Sequence, residues 1–226
     1  MGNAISPRAA ASDILADVRT THTRATARGG KWQEHADTRL ASALALGAGI
    51  ETQLATARDV AAPLIAAVKV ENERADDLLG RISDEIWNAI GRPGNDPAFS
   101  IIFPGGFAYY ADGNTEQQPT RMEILAQLLE ANLHPKLTPQ QTQAYAADVR
   151  QSALQLQQTI DAARTPAARV EVLERVYTAV ARSAAIELGH LKRLYKAEGF
   201  SETEIHTVIP DRPRSSGKGG TGGGEK

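Results

Sequence analysis

The sequence predicts an all-α protein, an elongated antiparallel bundle of four to five helices with coiled-coil-like packing and a β-hairpin inserted around residues 97–111. Three observations predict it. The chain is rich in alanine, glutamate, glutamine, leucine and arginine, all good helix formers, and only 5% of it is aromatic. Apolar residues recur every three or four positions over long stretches, the period of a buried helix stripe. One segment breaks that period with Gly, Pro, Asn and Asp, and inside it apolar residues alternate.

The elements follow in chain order. Ser6-Pro7 resembles an N-cap followed by a first-turn proline, opening a helix to about Arg28 that Gly29-Gly30 ends. From about Gln33 to Ile90 the row Ile50, Leu54, Ala57, Ala61, Leu64, Val68, Ala75, Ile82 and Ile86, with Leu78 and Leu79 between, predicts one long helix or two nearly collinear ones. Pro63 is expected to bend it, and Gly80 is a second candidate break. Residues 91–119 form an insertion. Within it Phe99, Ile101 and Phe103 alternate, Pro104-Gly105 suits the centre of a turn, and Phe107 and Tyr109 alternate on the way back. Thr120 to Glu123 reads as a capping box for a helix to about Leu133, and Thr138-Pro139-Gln140-Gln141 opens another to about Ala163. Thr165-Pro166 is expected to start the next, with Leu173, Val176, Val180, Ala184, Leu191 and Leu194 in register and Gly199 as its stop. Ser201 to Glu204 caps one last short helix. Residues 1–209 are thus expected as a single domain, followed by a disordered Gly/Ser/Lys-rich tail at 210–226.

Composition narrows the functions. There are 25 basic and 27 acidic residues, a net charge of -2, so no global field favours nucleic acid, and none is expected as a partner. Cysteine is absent, which excludes disulfides, thiolate metal sites and a cysteine nucleophile, and fits a cytoplasmic location. No apolar run approaches the roughly 18 residues of a membrane-spanning helix, and the N-terminus carries no apolar signal-peptide core. Met1-Gly2 with Ser6 fits the myristoylation pattern, a pattern short enough to arise by chance.

Four candidate sites emerge. Glu187 and His190 form Glu-x-x-His, a carboxylate and an imidazole on adjacent turns of one helix face, the spacing that di-iron bundles use twice. In the row Leu173, Val180, Glu187, Leu194 the carboxylate is expected to face the core, where it needs a partner such as an arginine. No second Glu-x-x-His exists, so the pair is a weak metal or small-ligand candidate. The 97–111 segment offers Phe99, Ile101, Ile102, Phe103, Phe107, Tyr109 and Tyr110, the residue types that anchor interfaces. It is expected to cover the bundle end, to dock a partner, or to touch a membrane with its tyrosines at the headgroups. The glycine-rich turns at Gly91 to Gly94 and Pro104 to Gly106 lack the spacing and lysine of a phosphate loop. Trp32 and Trp87 are expected to pack near the ends of the long helical segment. No catalytic residue and no cofactor is predicted. The function expected is a non-enzymatic structural or interaction protein that binds itself or another protein through helical faces and the aromatic segment. The alternatives are a membrane-active protein inserting 97–111 and a ligand-binding bundle built on Glu187 and His190.

Overall fold

The computed structural model describes residues 4–212. It contains α1 (Ala11–Arg28), α2 (Gly30–Ala89), α3 (Pro97–Ile102), α4 (Ala108–Ala111), a 3-10 turn (Thr115–Gln117), α5 (Gln118–Glu130), α6 (Pro139–Ala197) and α7 (Glu202–Val208). Of the described residues 81% are helical and none forms a strand, so the β-hairpin expected at 97–111 is absent. The long helices α2 and α6 each contribute to two compact units, Met1–Thr56 with Glu171–Lys226, and Ala57–Val170.

In the first unit α2 and α6 run antiparallel. The Tyr177 hydroxyl donates to Glu51 at 2.7 Å, Arg39 pairs with Glu187 at 3.4 Å and His35 with Glu198 at 2.8 Å, so numbers fall along one helix as they rise along the other. Ile14, Leu15 and Val18 of α1 meet Ala36 and Leu40 of α2, and Ala181, Ala184, Ala185, Leu188 and Leu191 of α6 complete that core. Alanine on α6 lets the backbones approach, and Gly47 does the same for α1: a β-carbon there would lie 3.3 Å from Leu15. At one end the Trp32 indole stacks on Phe200 at 3.9 Å, and the buried Tyr195 hydroxyl donates to the Trp32 carbonyl at 2.8 Å. Burial pushes that phenol well above its usual range. Gly199, at φ 90, reverses the chain into α7, whose capping box joins Ser201 and Glu204 as the sequence predicts.

In the second unit Ala75, Leu79, Ile82, Ile86 and Ile90 of α2, Met122, Leu125, Ala126 and Leu129 of α5, and Ala146, Val149, Ala153, Leu156 and Ile160 of α6 share one core. The Arg150 guanidinium forks onto Glu123 and Glu130 and pins α5 to α6.

Several local expectations are corrected. Ser6-Pro7 makes a turn, with the Ser6 hydroxyl accepting from the Arg8 amide at 3.2 Å, and α1 begins only at Ala11. Helix α5 starts at Gln118 with Pro119 in its first turn, so Thr120 is not a cap. Neither Gly80 nor Thr165-Pro166 breaks a helix: α2 runs through Pro63 and Gly80, and α6 runs through Pro166. Each proline removes one backbone donor at a cost of about 3 kcal/mol. The carbonyls four residues back belong to the exposed Asp59 and Ala162, where water can satisfy them, and packed helix on either side offsets the rest. Of the tail expected from Pro210, residues 210–212 are described. The Arg212 guanidinium forks onto the buried Asp17 carboxylate at 2.6 and 3.0 Å. The remainder of that tail and the Met1-Gly2 pattern lie outside the described residues.

Candidate interaction surface

The segment 97–111 folds as two short helices around a glycine turn. Asp96 is the N-cap of α3: its carboxylate accepts from the Phe99 amide at 2.8 Å, and Pro97 presets the first turn. These signals lie immediately before the aromatic run, where alternation alone suggests a strand. Phe99, Ile102 and Phe103 also stand at i, i+3 and i+4, one helix face, and this period wins because it places all three against the core. Gly105 and Gly106, at φ 85 and 86, turn the chain into α4. The buried Tyr110 hydroxyl then donates back to the Ile102 carbonyl at 2.7 Å, closing the corner, and burial pushes its pKa up to about 12.

Three further ties hold the corner in place. Asp96 also accepts from His134 Nε2 at 3.1 Å, while His134 Nδ1 accepts from the Lys136 amide at 3.1 Å. A ring nitrogen that accepts carries no proton, so this buried imidazole is the neutral Nε2–H tautomer. The Phe99 amide first and His134 second hold Asp96 below the usual carboxylate range. The Arg121 guanidinium gathers the carbonyls of Tyr109, Asp112 and Asn114, fixing the exit of α4. Asp76 of α2 accepts from Asn72 at 2.9 Å and from the fully buried Gln118 at 2.7 Å, locking the start of α5. A charged carboxylate cannot donate, so both amides must turn N–H toward it, and their oxygens, Asn72 Oδ1 and Gln118 Oε1, are left buried without partners.

The corner therefore splits its apolar residues. Ile102, Phe103 and Tyr110 are buried and Phe99 packs on Trp87, with ring centroids 4.7 Å apart. Ile101, Phe107 and Tyr109 remain 57, 41 and 54% exposed. The Phe107 ring packs on Gly80, where a β-carbon would sit 3.7 Å from it. Gly80 serves as a seat for that ring rather than as a helix breaker. Of the seven residues that the sequence offers for this surface, the structure keeps three outside and gives the others to the core and its edge.

Glu187 and His190 are adjacent, 3.4 Å apart, but neither is buried in the core. The row through Leu173, Val180 and Leu194 is one position out of phase at its centre, and Leu188 fills the place expected for Glu187. Arg39 is the arginine partner. Among the described residues no cluster of three His, Cys, Asp or Glu side chains can hold a metal. A groove of about 500 Å³ opens in the second unit along Ile65, Val68, Ile160 and Ala163. Sequence reasoning missed it because its walls come from the two long helices at positions about a hundred residues apart. Its rim charges, Lys69 and Arg164 against Glu73 and Glu116, cancel. Among the described residues no helix is long and apolar enough to cross a membrane.

No protein-family model, curated protein or solved structure matches this chain.

Proposed function

We propose that this is a non-enzymatic interaction protein that docks a protein partner, a second copy of itself or another chain, through the outer side of the α3–α4 corner. The observation that carries the reading is the split within one short segment. Ile102, Phe103 and Tyr110 anchor it, while Ile101, Phe107 and Tyr109 stay exposed on a frame held by the Asp96, Arg121 and Tyr110 hydrogen bonds. Large apolar side chains that are held rigid lose little entropy on docking, which is the property of an interface anchor. The cysteine-free composition supports a cytoplasmic place of action.

The test is a photo-crosslinking amino acid at position 109 in the producing cell, with light scattering of the purified protein alongside. A discrete crosslinked species, abolished by Ile101→Asp and accompanied by an unchanged helical spectrum, is the expected result. Crosslinking that is absent or spread over unrelated proteins would remove the reading.

A further inference from the structure

Charge around the corner narrows the partner, and this inference rests on the docking reading above. Phe107 sits on Gly80, and the residues three before and four after Gly80 on the same face of α2 are Asp77 and Asp84, both exposed. Asp112 follows α4 directly, is also exposed, and lies close enough to oppose the ionisation of Asp76, as Asp77 does. Among the described residues none of Asp77, Asp84 and Asp112 has a basic partner in an ion pair. Three arginines lie nearby, and all are engaged: Arg74, three residues before Asp77, pairs with Glu71 at 3.1 Å, Arg81 leans on Glu85 at 3.4 Å, and Arg121 is held by the three carbonyls of the corner. Counting Glu71, Asp76, Asp77, Asp84, Glu85 and Asp112 against Arg74, Arg81 and Arg121, the region is acidic by six charges to three.

We infer that the corner takes a basic amphipathic protein segment, one that sets an apolar anchor against Ile101, Phe107 and Tyr109 and places lysine or arginine over Asp77, Asp84 and Asp112. A second copy docked two-fold on the same face would set this acidic patch against its own copy, since a two-fold interface pairs a patch with itself. Like charges opposed across an interface are costly, and opposite ones both steer encounter and fix register. An anionic lipid surface is disfavoured by the same rim.

The experiment uses the full chain and two labelled helical peptides of one apolar pattern, Leu/Lys and Leu/Glu, followed by fluorescence anisotropy at low and high salt. The Leu/Lys peptide should bind, with roughly tenfold or greater preference over Leu/Glu. That preference should shrink in high salt and in Asp77→Asn with Asp84→Asn. Tyr109→Ser, an exposed change that leaves the core intact, should weaken the Leu/Lys peptide about fivefold or more. Equal binding of the two peptides, or indifference to the double Asn substitution, would overturn the assignment of a basic partner. If Tyr109→Ser still weakened both peptides, docking at the corner would stand while its charge preference fell. A dimer in light scattering that Tyr109→Asp dissolves, or binding to phosphatidylserine vesicles, would likewise replace the basic segment as occupant. Peptides that ignore both Tyr109→Ser and Ile101→Ser would remove the docking reading itself.

Discussion

The two units use aromatic residues in opposite ways. In the first, Trp32, Tyr195 and Phe200 come from α2, from α6 and from the turn after it, and close on one another, with the Tyr195 hydroxyl reaching a carbonyl 163 residues away. In the second, the aromatic residues of the corner are neighbours in sequence, and Tyr110 reaches a carbonyl only eight residues away. A cluster assembled from distant segments must be buried to exist, because only tertiary packing brings its members together. A cluster supplied by one short segment can be anchored by some of its members and still present the others. That difference is why the second unit, and not the first, supports a docking surface.

The sharpest way to break the comparison is to truncate each half of the corner separately. Phe103→Ala removes a buried ring and should cost about 3–5 kcal/mol in urea unfolding, whereas Ile101→Ala, on the exposed side, should stay within about 0.5 kcal/mol. On a hairpin the two residues would share a face and respond alike, so equal losses would restore that topology. Next come the two tyrosine hydroxyls. Tyr110→Phe strands the buried Ile102 carbonyl and should cost about 1–3 kcal/mol, while Tyr195→Phe leaves the Trp32 carbonyl its bond within α2 and should cost about 0.5–1.5 kcal/mol. Hydrogen exchange should separate them: loosening confined to residues 97–114 for Tyr110→Phe, and spread over α7 and the start of α2 for Tyr195→Phe. A smaller effect, a lowered urea midpoint, is expected for Arg212→Ala, which leaves the Asp17 carboxylate buried without its fork. Half-exposure of the arginine keeps the loss below that of a fully buried pair. No change in the unfolding midpoint would show that the contact contributes nothing to the first unit.

Sequence pattern reached the long-range architecture of the helices better than the local geometry of the corner. The row from Ile50 to Ile86 is legible because each buried residue repeats the same period, and all of it is buried or half-buried. The row on α6 slips at Glu187 because alanines at 181, 184 and 185 form the contact, and alanine, common on every face of this chain, marks no face by itself. Residues 97–111 are ambiguous in sequence for another reason. Phe99, Ile101, Ile102 and Phe103 satisfy alternation and helical spacing at once, and a run this short cannot be resolved by period. The Asp96-Pro97 cap could have resolved it. Nothing local could have shown that His134, 38 residues on, completes the bonding of that cap.

The smallest and most specific contrast is in acid. In the first unit Glu202 is held down to about 2, by Lys192 first and Lys196 second. In the second, Asp76 is raised, by burial first, and the Gln118 amide offsets only part of that. The signs follow from linkage. A carboxylate with a lowered folded pKa contributes stability that is fully present above its ordinary value near 4.5 and is lost as pH falls from there toward 2. One with a raised folded pKa does the reverse. It opposes folding while charged, and the folded state gains relative stability as pH drops through the raised value, because it takes up the proton first. Glu202→Gln should therefore flatten the loss of stability between about pH 4.5 and 2. Asp76→Asn should steepen the acid limb by removing the one gain that works against it. Both are readable from urea midpoints across that range, with a probe in each unit, Trp32 and Trp87. A flattened limb reported by Trp87 alone, or an Asp76→Asn profile parallel to the parent's, would mean that the two carboxylates do not differ in the way their surroundings require.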